Sequence, residues 1–516
     1  MNRSVLLLFL LISLSISVAY GQVSRVNISE KTIGINKINN KDIITKDYSF
    51  IPKVENFYID SIRNYAIIQL RNMEKDSITL KNDGYFLALD LSLDSVLWEK
   101  PFDYSIDNLY FYNNSLLHCT QNKINFISTK TGETSLSLDN SLYYIEKNKK
   151  IALAYKTNLP TSSNIVEAID ISSGKILWER DIDRENGWDN IHLINDSILA
   201  IYSDAFYLIN INNGKTIEFK AKTIDKKYGK TILTGTLSLT LAILTGSYDI
   251  DIEAPEEINY LQSDILADSS YYFYASKDKL YKLDKTGKII WNQQFEKLKV
   301  SHSTLFKKDS ILYMINNGYA FKDGEIIDYG IPFLAAFNAI TGEPIYYNIF
   351  KEKTKKNERI LDYKLEGREI ILVFKESIGR YQLNNGSFLS ERKVKNSEYG
   401  EIISFIKDDI YIKKSGNYSK ILDIYPRNYN IYTSYGYVLS LNRDFTTREI
   451  SSYNDIFFSS STANKGDEIL VSDSILTVIS SSNRIILEIP YLNNPIIIRD
   501  KLFATKENSF FAIDFQ

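Results

Sequence analysis

Few residues in this chain are equipped for chemistry. Its 516 residues hold three histidines, His118, His192 and His302, and one cysteine, Cys119. A zinc site needs three or four nitrogen or sulfur ligands at short, regular spacings, and these residues show none. His118 and Cys119 lie in Ser115-Leu116-Leu117-His118-Cys119, and His192 in Ile191-His192-Leu193-Ile194. Both are apolar, strand-like runs, so these side chains read as packed residues and Cys119 as a buried thiol. His302, in Ser301-His302-Ser303, is either a turn residue or a channel-lining one. The stretch Asp181-Ile182-Asp183-Arg184-Glu185-Asn186-Gly187-Trp188-Asp189 alternates acidic side chains as calcium loops do. Its glycine comes one position too late for an EF-hand, however, and His192 stands where the last carboxylate should be, so a solvated loop is the better reading. The acidic run from Asp249 to Glu257 reads as a solubilising edge, with an interaction loop as the alternative. No Gly-x-Ser-x-Gly elbow, phosphate loop or dinucleotide fingerprint is present. Paired carboxylates for glycoside chemistry stay open, because their separation is spatial.

The elements that would position any such residue repeat. Ala88-Leu89-Asp90 leads through Asp94 to Trp98, Ala168-Ile169-Asp170 through Gly174 to Trp178, and Tyr281-Lys282-Leu283-Asp284 through Gly287 to Trp291. Each reads as strand, tight turn, strand. Gly suits the turn because one residue there must take positive φ. Further copies turn at Gly132, Gly214, Gly342 and Gly386, then at Arg443-Asp444 and Ser482-Asn483. The chain stops at Phe511-Ala512-Ile513-Asp514-Phe515, a third strand with no fourth after it. The turns at Asp94, Gly132, Gly174 and Gly214 are 38, 42 and 40 residues apart, the length of one four-stranded propeller blade. Longer later steps imply loop insertions near 220–266, 317–331 and 416–434.

Composition agrees. There are 37 Tyr and 26 Phe against 9 Pro, a strand-forming balance, and helical periodicity is missing nearly everywhere. The expected fold is therefore an all-β propeller of four-stranded antiparallel blades. Seven to ten blades are expected, with eight favoured by base rate and ten by counting hairpins. A radial arrangement lets each blade cover its neighbour's face. The unfinished last unit predicts closure of the ring by an N-terminal strand, with Val23 to Ser29 as the expected donor.

The segments around Trp178 and Trp291 resemble the PQQ-like (quinoprotein-type) propeller repeat, roughly Ala-x-Asp-x-x-Thr-Gly-x-x-x-Trp. Phe337-Asn338-Ala339-Ile340-Thr341-Gly342 and Ile127-Ser128-Thr129-Lys130-Thr131-Gly132 resemble it without the tryptophan. The resemblance implies a structural role for Trp98, Trp178 and Trp291, packed between blades, and for Gly132, Gly174, Gly214, Gly287, Gly342 and Gly386. Dehydrogenases of that family hold their cofactor under a disulfide of adjacent cysteines. Cys119 stands alone, so no cofactor, metal or catalytic residue is expected and the non-enzymatic branch is favoured.

Residues 1–21 read as a signal peptide: Arg3, an apolar run from Val5 to Ala19, and small residues at Ala19 and Gly21. At about 15 residues the run falls short of the ~20 that span a bilayer. Residues 22–516 are then one propeller domain, exported to the periplasm or secreted, monomeric and not membrane-spanning. With 61 Lys and Arg against 64 Asp and Glu, nothing favours nucleic acid. The expected role is a scaffold that binds a protein or cell-envelope partner through its loop face, where Tyr425, Tyr429, Tyr432 and Tyr435 are candidate contacts. The alternative is a glycan-binding or glycan-cleaving propeller acting at a central funnel.

Overall fold

The computed structural model of the chain describes residues 26–515 apart from 75–78, 113–114, 158–163, 183–189, 203–204, 222–224, 228–255, 259–260, 296–299, 323–324, 351–357, 407–409, 415–416, 422–427, 453–455, 463–466, 473, 483 and 500. The expected signal peptide, most of the Asp181–Asp189 stretch, the acidic run from Asp249 up to Pro255 and Tyr425 lie outside the described residues.

Alternating apolar residues and short turns fold as antiparallel sheets. Among the described residues there are eight four-stranded sheets, one of five strands and one of six, which makes ten. Two small hairpins, Asp225–Lys227 with Glu256–Ile258 and Tyr319–Lys322 with Glu325–Asp328, are the remaining sheets. The hairpin count of ten is thus the one the sheets match. We number the blades in chain order. Blades 1 to 3 span 53–103, 108–138 and 140–181, and blades 4 to 7 span 190–220, 266–294, 303–349 and 360–393. Blade 8 is built from 402–405 and 428–452, blade 9 from 456–490 and blade 10 from 493–514.

The chain divides into two compact units. Unit one holds blades 1 to 3, 9 and 10, and unit two holds blades 4 to 8. Within each unit the apolar clusters straddle neighbouring blades. Ile67, Phe86, Ala88 and Trp98 of blade 1 pack with Leu109, Leu116 and Ile127 of blade 2. In unit two, Phe273 and Leu280 of blade 5 pack with Leu312, Met314 and Phe337 of blade 6. A single twisted sheet of four strands cannot bury both faces, so the stable unit is the stack.

Five seams share one contact. A side chain on the fourth strand of one blade lies on the turn glycine between strands three and four of the next. A Cβ added to Gly132 would stand 2.7 Å from Trp98, and one added to Gly342 the same distance from Trp291. Gly386 meets Tyr346, Gly174 meets Leu136 and Gly287 meets Ile217 in the same way. All six turn glycines, Gly214 included, have φ between 70 and 85°, where a side chain is strained as well as obstructed. Trp98 is 9 % and Trp178 7 % exposed. Trp291, half-buried, packs on the core of blades 5 and 6.

A second contact recurs beside the first. The carbonyl just after the third strand accepts a hydrogen bond from the preceding blade, but the donor changes. Trp98 Nε1 donates to Thr129 O at 2.9 Å, Lys282 Nζ to Ala339 O at 2.8 Å, and Tyr346 Oη to Leu383 O at 2.8 Å. Arg380 reaches Arg443 O in the same place. Lys282 occupies the carbonyl that Trp291 would use, and Trp291 Nε1 is left buried without an acceptor.

The last blade is completed from the N-terminus, as predicted, but by a different strand. Asp42–Ser49 pairs with Ser509–Asp514, with Thr45 opposite Ile513. The expected donor, Val23 to Ser29, overlaps instead the start of a fifth, outer strand, Asn27–Ile35, which pairs only with Asp42–Ser49. Asp42–Ser49 buries Ile43 on one face, against blade 9, and Tyr48 on the other, against blade 1, whereas Asn27–Ile35 is exposed along most of its length. Burial against a neighbouring blade on both faces therefore selects the later strand.

The third insertion is also displaced from its expected bounds. Residues 428–433 form the second strand of blade 8. The insertion is the stretch before it, whose hairpin Ile410–Lys414 and Asn417–Ile421 belongs to unit one and adds two strands to blade 9.

Candidate interaction site

The other two insertions meet in unit two. In a four-stranded up-and-down blade, the turn from strand two to strand three and the connection to the next blade leave from the same end. The insertion before blade 5 and the hairpin inserted between strands two and three of blade 6 therefore emerge side by side. They share a small core of their own: Ile258 and Leu261 from the first, and Ala320 and Tyr329 from the second, with Ile327 against them. Outside that core Ile326 is 49 % exposed, between the exposed Glu325 and the half-buried Ile327.

Beneath this cap the polar groups are matched closely. The Asn316 side-chain carbonyl accepts from Ser301 N at 2.8 Å, Ser301 Oγ at 2.9 Å and Ser303 Oγ at 3.2 Å. Its amide donates to Ile331 O at 2.8 Å, which ties the hairpin's exit to its base. Gly318 N donates to Ser301 Oγ at 2.8 Å. Ser263, from the first insertion, exchanges bonds with Ala275 and bridges Ser303. A buried asparagine with its hydrogen bonds filled fixes one arrangement, since any other leaves a polar group unpaired.

His302 belongs to this network. Its ring stacks on Tyr319, with centroids 5.2 Å apart and 19° between planes. Nδ1 lies 3.1 Å from Asn317 Nδ2 and 3.2 Å from Tyr319 Oη, both of which can donate to it. Burial pushes its pKa down to about 4, against a small opposing pull from Asp264. The imidazole is therefore neutral at pH 7, with Nδ1 as the acceptor. Arg359 lies 5.7 Å from the Tyr319 ring centre. His302 thus serves as a structural member of the cap, and its Nδ1 is committed to that role.

The other residues singled out from the sequence are scattered. His118 Nε2 meets Asp107 Oδ2 at 2.9 Å and packs against Phe86 and Phe102. Cys119 is buried, and burial together with Asp107 pushes its thiol up to about 12, so it is not a nucleophile. The His192 side chain lies outside the described residues. Among the described residues no three His, Cys, Asp or Glu side chains converge as a metal site.

The tyrosine surface is corrected in part. Tyr429 is fully buried in blade 8. Its hydroxyl donates to Glu366 Oε2 at 2.6 Å and accepts from Arg380 at 2.8 Å. It faces inward because it sits on a second strand, whose side chains fill the seam between blades 7 and 8. Tyr432 is half-buried, and Tyr435 is 64 % exposed. Tyr435 lies in a strand-two-to-three turn, at the same end of its blade as the cap hairpin is of blade 6. Sequence reasoning missed Asn316, Asn317 and Tyr319. The run Asn316-Asn317-Gly318-Tyr319 looked like an ordinary loop, and its pairing with Ser301-His302-Ser303 depends on strand register.

Among the described residues no helix is long and apolar enough to cross a membrane. Residues 75–293 match the family described as outer membrane protein assembly factor BamB. Similar solved structures include BamB from Moraxella catarrhalis, 11 % identical over 73 % of this chain and 94 % of that one, with a TM-score of 0.31. Hsv2 of Kluyveromyces lactis is 8 % identical over 67 % of this chain and 99 % of its own, with a TM-score of 0.31. A eukaryotic initiation factor is 8 % identical over 78 % and 89 %, with a TM-score of 0.35. No curated protein matches significantly. The matched segment contains Trp98 on Gly132 and the four-stranded sheets of blades 2 to 5, and over residues 75–293 the chain is similar to the PQQ-like β-propeller repeat proteins.

Proposed function

We propose that this chain is an exported, non-enzymatic scaffold that binds a protein partner of the cell envelope through the capped end of unit two. The supporting observation is that two separate insertions fold onto each other over a shared core, Ile258 and Leu261 against Ala320 and Tyr329. Loops that only join strands have no need of a core, whereas binding loops are held rigid by one. The likeness to BamB, whose name places it in outer-membrane protein assembly, agrees with an envelope partner. Tyr435, exposed at the same end of blade 8, extends the contact surface.

The test is capture from the native envelope fraction by the intact chain, beside a chain in which residues 319–328 are replaced by a short Gly-Ser turn. A partner held by the first and released by the second supports the reading. Equal capture by both moves the interface away from the cap. Specific glycan binding on an array, with no protein captured, would replace the scaffold with the glycan alternative. Export is read separately, by fractionation and by sequencing the mature N-terminus, where Gln22 is expected.

A further inference from the structure

At the seam between blades 10 and 1 both members of the side-chain-on-glycine contact are replaced. In blade 1, Trp98 stands opposite Ala88, and in blade 6, Tyr346 stands opposite Ala336. The equivalent position of blade 10, opposite Ala512, holds Lys46. The turn it faces in blade 1 has Asp94 in place of glycine, at φ 51°. Ring and glycine have both been exchanged, for an ion pair of 2.8 Å that Tyr48 Oη joins at 2.6 Å. A lysine stem does not fill the space of an indole. A cavity of about 210 Å³ is left there, floored by Leu91, Phe503 and Ala512 and edged by Lys46, Lys501 and Asp514. Lys46 and Asp94 are about one-third exposed, so the cavity opens to solvent.

We propose that this cavity receives one aromatic side chain presented by a partner protein. It occupies the seam position that an aromatic side chain of this chain itself fills beside Gly132, Gly342 and Gly386. It is smaller than the roughly 300–1,000 Å³ of small-molecule sites, which suits a single side chain better than a whole ligand. The ammonium groups of Lys46 and Lys501 at its edge, each paired with a carboxylate and accompanied by Glu30, leave a polar rim around an apolar floor, and a partly enclosed aromatic anchor is a common kind of interface hot spot. The site lies in unit one and does not depend on the cap. It rests on the scaffold reading only for the nature of its occupant.

The probe is N-acetyl-L-tryptophanamide, titrated into the full chain and followed by ligand-observed NMR. Saturable binding with a Kd on the order of 1 mM is expected, about 4 kcal/mol. The double variant Lys46→Trp/Asp94→Gly rebuilds the seam of Trp98 and Gly132. It should weaken binding at least about tenfold, or 1.4 kcal/mol, and raise the Tm. Ala512→Leu fills the floor without touching the ion pair and should also weaken binding, which covers the case in which the double variant fails to fold. No saturable binding by the wild type, or an unchanged Kd in Ala512→Leu, overturns the proposal. Partner capture that depends on residues 319–328 but is unaffected by Lys46→Trp/Asp94→Gly would keep the scaffold and remove this pocket.

Discussion

Two seams of unit one, built on the same backbone plan, are closed by different physics. Between blades 1 and 2, Trp98 lies flat on Gly132 and donates to Thr129 O at 2.9 Å. Between blades 10 and 1, Lys46 spans to Asp94 and leaves a cavity beside it. The first is made of apolar contact and one enclosed hydrogen bond. The second has a part-exposed ion pair at the same position, where such pairs contribute little, beside an apolar core in which Tyr48, Phe503 and Phe510 meet Phe57 and Ile68. The second seam is also the one to which the N-terminal strand Asp42–Ser49 contributes. A propeller repeat therefore specifies where a contact occurs, while its chemistry is free to vary.

The comparison breaks most visibly at the indole. Trp98→Ala should cost about 3–5 kcal/mol, the usual range for a buried tryptophan, read as a fall in the denaturant midpoint at unchanged slope. A loss under about 1 kcal/mol would mean that the ring does not hold its seam.

The next effect separates both seams from the polar cap. His302 has its pKa lowered to about 4 in the folded chain. Its contribution is complete above the ordinary value near 6.5 and is lost as pH falls from there to about 4. That predicts a loss of about 3 kcal/mol over the window. His302→Asn keeps an acceptor for Asn317 and Tyr319 but cannot titrate, so its stability should be flat over the same range. Asp94 titrates lower. Burial opposes its charge, but the bonds from Lys46 and Tyr48 outweigh this and hold its carboxyl below the usual value. Its share is present above about pH 4 and disappears as pH falls through the lower folded value. Unfolding followed at pH 7, 4.5 and 3 distinguishes the two.

Gly132→Ala should cost about 1–3 kcal/mol, because the new methyl meets Trp98 and the residue keeps positive φ. Asp94→Gly, at the equivalent turn, should cost no more than about 1 kcal/mol. The smallest change is Lys46→Met, expected to lower stability by about 0.5–1 kcal/mol at low salt and by nothing measurable near 1 M salt. A loss that persists in high salt would show that the stem, and not the charge, closes this seam.

Much of this was legible in the residues. The Asp-to-Gly turns and the tryptophans after them marked the third and fourth strands of the blades, and the unfinished Phe511–Phe515 strand announced a partner from the N-terminus. The choice of Asp42–Ser49 over Val23–Ser29 was less accessible. It follows from which strand buries Ile43 and Tyr48, and that requires knowing the neighbouring face. Tyr429 was misjudged for the same reason: its neighbours in sequence are tyrosines and asparagines, but its neighbours in space are Glu366, Arg380 and Phe445.

Local spacing by itself determined the strand, the turn and the repeat, because backbone sterics and the alternation of side chains act over a few residues. Only the tertiary structure decided which side chain meets which turn across a seam, that two insertions pair while a third departs, and that one seam is left part-empty. Those outcomes depend on register between segments tens to hundreds of residues apart, where packing and the satisfaction of buried polar groups select among arrangements that local preference leaves equal.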